Sequence, residues 1–303
     1  MHDRYQKQTG HALIGYLFIG YTFFTLALTL GLSNPRPINS EPEAQELKQM
    51  TSSEKPAVIK PMHPHNKPTI EAPPRAAKIT TTKYPSRPDF GVIKDIKTKK
   101  EAFFEYLAPA IERENKRMAH AQQQLRDMQS STQAKQPLSA QQQRTLHQWS
   151  KDYRVDTTAP AATQLVQLLE RMDVIPASMV MAQAAMESAW GTSRFARLAN
   201  NYFGQWCFRK GCGIVPSQRN TEASHEVATF TDAQAAVASY FKNINRHPAY
   251  QRVREERLAL RRSGEPLDSL VMVRGLDQYS ARGHAYIEEL QSMIRYNKIK
   301  RFD

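Results

Sequence analysis

One carboxylate in this chain is set among residues that do not welcome charge. Glu187 lies near the end of VIPASMVMAQAAMESAWG, the stretch from Val174 to Gly191 in which alanine, methionine and valine dominate. Helical spacing places it on one face with Val180 and Ala184, seven and three residues earlier. Burial among such neighbours disfavours the ionised form and raises the carboxyl pKa. A carboxyl that keeps its proton near neutral pH can act as a general acid. The plain alternative is a glutamate at a helix end, solvated or paired with Arg194 or Arg197, because perturbed carboxylates are often structural. Pro176 suits the first helical turn, where its missing N–H costs nothing. Gly191 is placed to end the helix in a left-handed conformation.

The residues that follow narrow the choice. ESAWGTSRFA is succeeded by NNYFGQWCF, and the pair resembles the glucosaminidase family of peptidoglycan hydrolases, glycoside hydrolase family 73. Glu187, Ser188, Trp190 and Gly191 match that family's Glu-Ser-x-Trp-Gly motif, and Asn200, Asn201, Phe203 and Gly204 its Asn-Asn-x-Phe-Gly motif. The likeness extends from Val155 to Asn297. It implies cleavage of the β-1,4 bond after N-acetylglucosamine, with Glu187 as the acid. It also implies a second carboxylate on or near a β-hairpin, in a Thr-Glu context. Thr221-Glu222 matches that dipeptide, while Glu226 lies in the better strand, HEVATF. Phe230-Thr231-Asp232 stands where the family has Phe-Arg-x-Tyr, so the choice stays open, with Glu226 slightly preferred. The family's late tyrosine aligns imperfectly with Tyr279, and Tyr286 is the alternative. Trp190, Tyr202, Phe203 and Trp206 could line a sugar cleft, because aromatic faces suit the apolar faces of pyranose rings; the bland reading is core. Asn200 and Asn201 offer amides for an N-acetyl group, or simply form a turn. Muramidase or lytic-transglycosylase cleavage is the nearest other reading. A glycan-binding scaffold without turnover is the reading from a different class.

The formal charge of +13 suits an anionic partner such as an acidic wall polymer or membrane surface. No nucleic-acid module accompanies it, so nucleic acid is not expected as a partner. Peptidoglycan glycan strands are. No cofactor and no metal are implied, since two cysteines without a His/Cys cluster fall short of a zinc site. In an exported protein, Cys207 and Cys212 would close a short disulfide across Arg209-Lys210-Gly211.

Along the chain, residues 1–11 read as a cytoplasmic tail. Residues 12–32 are uncharged and, at about 1.5 Å per residue, close to the hydrocarbon thickness of a bilayer. They are expected to anchor the protein in the inner membrane with its catalytic part in the periplasm; cleavage after Gly31-Leu32-Ser33 would instead release it. Residues 33–98 hold most of the proline and read as a disordered linker. Residues 99–153 read as a helical extension: Phe103, Phe104, Leu107 and Ile111 recur at helical spacing, a polar Gln-rich stretch to residue 133 follows that is expected to be exposed, and Leu146, Trp149 and Tyr153 share the face of a second helix. Residues 154–303 are the catalytic domain. Leu165, Leu168, Leu169 and Met172, then Val237, Tyr240, Phe241 and Ile244, then Ile287, Leu290 and Ile294 form apolar helix stripes. Ile214-Val215 and His225–Phe230 predict a small β-hairpin. The fold class expected is mainly α, an α+β lysozyme-like domain.

Overall fold

The computed structural model describes residues 84–216 and 225–303. The anchor and tail expected at residues 1–32, the linker to residue 83, and Glu222 lie outside the described residues. Among the described residues no helix is long and apolar enough to cross a membrane.

The first helix, α1 (Ile96–Gln133), starts where Asp95 accepts a hydrogen bond from the Thr98 amide at 2.8 Å. Helix α2 (Ala140–Asp152) begins at a capping box made by Ser139 and Gln142. Helices α3 (Ala161–Arg171), α4 (Ala177–Ser188) and α5 (Arg194–Ala199) follow. Strands β1 (Trp206–Cys207), β2 (Gly213–Ile214) and β3 (Glu226–Ala228) make a sheet in the order β1-β3-β2, antiparallel at both junctions, with Cys207 opposite Glu226 and Ile214 opposite Val227. Helices α6 (Ala233–Arg246), α7 (Gln251–Ser263), α8 (Ser269–Met272) and α9 (His284–Tyr296) complete the domain, with short 3₁₀ turns at Pro248–Tyr250, Val273–Leu276 and Ile299–Phe302. The mainly helical α+β class and the β2–β3 hairpin are as the sequence predicts. Strand β1 is an addition, too short to leave a period-two signal.

Helix α4 is the axis. All its residues except Met186 and Glu187 are buried. Around it pack Phe103, Leu107 and Ile111 of α1, Val237, Tyr240 and Phe241 of α6, and Ile287, Leu290 and Ile294 of α9. Its first turn has no side-chain cap of its own. Asp303 supplies one from the far end of the fold, accepting from the Ser178 amide at 2.8 Å and the Ser178 hydroxyl at 2.7 Å. At the other end Ala189, Trp190 and Gly191 all take left-handed φ, at 49°, 58° and 75°. The helix therefore ends at Ser188, three residues before the glycine expected to end it. The Ser188 hydroxyl fixes this turn by donating to the Ala184 carbonyl and accepting from the Gly191 amide.

Two boundaries move. Within the linker expected to run to residue 98, Tyr84 and Phe90 are buried in the main core, and α1 begins at Ile96. Proline content masked two aromatics large enough to offset the ordering of the segment around them. The stretch 99–153 is less an extension than a part of both hydrophobic cores. The Gln-rich part of α1, expected to be exposed, buries Met118, Ala121, Leu125 and Met128, the last three against Leu146, Leu165 and Leu168. Gln122 is buried too, donating to the carbonyls of Leu169 and Met172 at 2.8 and 2.7 Å, so a polar residue there joins helices rather than facing water.

Candidate active site

Glu187 sits at the last turn of α4, and its carboxyl lies among tyrosines. The Tyr286 hydroxyl, from α9, donates to Oε1 at 2.8 Å. Tyr240, Tyr250, Tyr279 and Tyr286 are all close enough for the Glu187 charge to disfavour their ionisation. The rings of Tyr279 and Tyr286 are parallel with centroids 5.7 Å apart, and Tyr250 lies 5.8 Å beyond Tyr279. The Tyr279 hydroxyl donates to the Phe203 carbonyl at 2.7 Å, and the Phe203 ring stacks on Tyr240 at 4.4 Å. Burial raises the Glu187 pKa above its ordinary 4.5, and the hydrogen bond from Tyr286 offsets only part of that rise. Gly204 stands over the other oxygen: a β-carbon there would be 3.5 Å from Oε2. So Oε1 is held from within the protein, and Oε2 is covered by a residue without a side chain.

The loop that carries Gly204 is shaped by the asparagines of NNYFG. Asn201 is buried and fully occupied, donating to the carbonyls of Gln205 and Ala228 and accepting from the amides of Phe203 and Gln205. Asn200 takes the left-handed position that ends α5, and its amide donates to the carbonyls of Phe230 and Thr231. The amide nitrogens of both side chains therefore hold the loop together. Tyr202 is buried, packed edge-on to Phe103 and Tyr106. Trp190 turns towards α1, where it meets Phe103 and Phe104 and lies under the Lys100 ammonium at 4.9 Å. Phe203 is buried on Tyr240. Of the aromatics expected to line a sugar cleft, Trp190 and Trp206 stay partly open, Trp206 stacked on His225 at 3.9 Å.

Glu226 is placed on β3 as expected but is engaged elsewhere. It is 4% exposed, and its oxygens accept from the amides of Gly211 and Gly213 at 3.0 and 2.8 Å. Cys207 and Cys212 form the expected disulfide across the same loop. The two sulfurs and a Glu226 oxygen lie within 4.8 Å of one another, a spacing that metal sites use. Oxidised to a disulfide, the sulfurs are not the thiolates such a site needs. The carboxylate and the disulfide thus fasten one loop at two points.

The sequence reading missed Gln183 and the roles of Tyr240 and Tyr250. Gln183 is fully buried and bonds both Tyr286 and Tyr240. Its signal was present: a lone amide in an alanine and methionine helix, one turn before Glu187.

A family profile described as Mannosyl-glycoprotein endo-beta-N-acetylglucosaminidase matches residues 162–299. Protein bax of Escherichia coli (strain K12) is 37% identical over 131 residues, which is 43% of this chain. The aligned part spans 46% of that relative, about half its length. No solved structure matches.

Proposed function

We propose that the chain is a glycosidase of the glucosaminidase family, whose profile matches residues 162–299, and that it hydrolyses peptidoglycan at the β-1,4 bond after N-acetylglucosamine. The observation that carries the proposal is the environment of Glu187: a carboxyl with a raised pKa, one oxygen bonded by Tyr286 and the other beside Gly204. Glu187 donates its proton from Oε2 to the glycosidic oxygen as the bond to the anomeric carbon breaks, and the leaving sugar departs as an alcohol. Water adds to the anomeric carbon and loses its proton to a carboxylate. Glu222 is the better choice for that carboxylate, because both oxygens of Glu226 are committed to loop amides. Tyr279 and Tyr286 fix the shape of the acid's pocket. The Trp206 and His225 pair supplies the stacking face for a sugar ring.

The +13 charge fits an anionic wall polymer as substrate. The uncharged run of residues 12–32 supports attachment to the inner membrane, and the Cys207–Cys212 disulfide suits an oxidising periplasm. Fractionation and protease accessibility of the full-length protein test this placement; a soluble form starting near Asn34 would end the anchor reading.

Incubation with peptidoglycan sacculi, followed by mass analysis of the released fragments, tests the activity. N-acetylglucosamine at the reducing ends is the expected result. Muramic acid or its anhydro form there would assign cleavage to the other bond, and binding without release would leave a glycan-binding scaffold.

A further inference from the structure

We propose that Gln183 is a positioning residue that fixes the direction of a hydrogen-bond chain from Tyr240 to Glu187 and so holds the transferable proton on Oε2. This inference rests on the reading of Glu187 as the acid. The chain has four members. The Tyr240 hydroxyl donates to Gln183 Oε1, Gln183 Nε2 donates to the Tyr286 hydroxyl at 3.1 Å, and Tyr286 donates to Glu187 Oε1 at 2.8 Å. Gln183 and Tyr240 are 0% and 1% exposed, so both lie away from bulk solvent.

Such a chain has two possible directions. Reversed, Glu187 would donate from Oε1 to Tyr286, Tyr286 to the amide oxygen of Gln183, and the amide nitrogen to Tyr240. The proton would then face the protein interior, where it is useless to a leaving sugar. The buried Tyr240 decides between them. Among the described residues, the hydrogen bond recorded for its hydroxyl is the one to Gln183. Donating, Tyr240 satisfies its O–H. Accepting, it would leave a buried O–H without an acceptor, which costs about 1–3 kcal/mol. An unused lone pair is the smaller loss. Tyr240 therefore sets the amide of Gln183, the amide sets Tyr286 as a donor, and Tyr286 closes Oε1 to a proton. The remaining site is Oε2, beside Gly204.

The groups facing Glu187 are Tyr286 from α9, Tyr279 from the loop before it, Tyr250 from the 3₁₀ turn and Tyr240 from α6. The donor bond from Tyr286 favours the ionised carboxylate and so lowers the pKa that burial raises. Breaking the chain's direction lets Tyr286 accept from the protonated acid, which favours the neutral form instead. The titration midpoint of Glu187 should then move up while the proton is misplaced.

The test uses the full-length protein with ¹³C-labelled glutamate, and the Glu187 carboxyl signal is assigned by its loss in Glu187→Gln. Two neutral variants are compared, Gln183→Met and Tyr240→Phe, the second keeping the ring stacked on Phe203. The expected result is an upward midpoint shift of about one unit. With it, release from sacculi should slow by roughly 3- to 10-fold at saturating substrate, with half-saturation unchanged. An upward shift in either folded variant upholds the proposal, and a midpoint unmoved or lowered in both overturns it. A packing role alone would lower the melting temperature and leave the midpoint in place. If the parent protein leaves sacculi intact, the midpoint still judges the chain of bonds, and the hydrolase reading fails by itself.

Discussion

Phe90 lies directly on Gly191. A β-carbon at residue 191 would stand 2.5 Å from the Phe90 ring, and the glycine carries a φ of 75°. The turn that ends the Glu187 helix is therefore closed by a residue about a hundred positions earlier in the chain, outside the stretch 162–299 that matches the family.

The first prediction follows from that contact. Phe90→Ala should destabilise the domain by about 3–5 kcal/mol, as expected for emptying a fully buried ring site. Gly191→Ala should also destabilise, through left-handed strain and overlap with the ring. Because the two residues touch, the double variant should be less unstable than the sum of the singles. Urea unfolding of the parent, both singles and the double measures this. Additive losses would mean that Phe90 and Gly191 do not meet in solution.

The same contact explains what the sequence could and could not reveal. The Glu187 helix, the apolar stripes of α3, α6 and α9, and the disulfide were legible because each depends on local spacing. Phe90 was not, since nothing local distinguishes a buried aromatic in a proline-rich stretch from a solvated one. The site divided in the same way. The burial of Glu187 could be read from its apolar helix, but the surroundings of Asn200, Asn201, Trp190 and Glu226 depend on which groups reach them across the fold. A motif preserves residues that build a loop as readily as residues that touch a ligand, and NNYFG chiefly builds the loop that brings Gly204 to Glu187.

Gly204 provides a second prediction. Gly204→Ala places a methyl group 3.5 Å from Glu187 Oε2 at a residue whose φ is 61°. The backbone strain should cost on the order of 1 kcal/mol. Fragment release should fall far more than that loss implies, by about tenfold or more, because the methyl stands where the leaving oxygen must approach the acid. Thermal melting and release assays on one preparation separate the two effects. Full activity in a folded Gly204→Ala protein would place the sugar on another side of Glu187.

Glu226 and Glu222 should part in a third experiment. Replacing Glu226 with Gln sets an NH₂ group against one of the loop amides it now accepts from, at Gly211 or Gly213. Loss of a buried charge-assisted hydrogen bond costs roughly 1.5–3 kcal/mol. Glu226→Gln should therefore lower stability and make the Cys207–Cys212 disulfide easier to reduce. Glu222→Gln should leave melting unchanged and remove most fragment release. The reverse pattern, a stable but inactive Glu226→Gln, would return the second catalytic role to Glu226.

The last prediction joins the chemistry of Glu187 to its burial. Its pKa is raised above 4.5 chiefly because the charged form is desolvated. Between the unfolded and folded values, the folded chain holds more protons than the unfolded chain. Stability is thus fully present at low pH and declines as pH rises through the raised pKa, after which the contribution of this group is constant. Glu187→Gln cannot ionise and lacks that decline. It should match the parent in stability at acid pH and surpass it at alkaline pH, by about 1.4 kcal/mol for each unit of pKa elevation. Its activity should move the opposite way. Without a proton to give, fragment release should drop roughly 10²- to 10⁴-fold, while binding to sacculi persists. In the parent, release should fall with rising pH over the same interval in which its stability falls below that of Glu187→Gln, because one ionisation governs both. Melting curves and release rates collected across the same pH series check this. If the two curves break at clearly different pH values, the group that limits turnover is not Glu187.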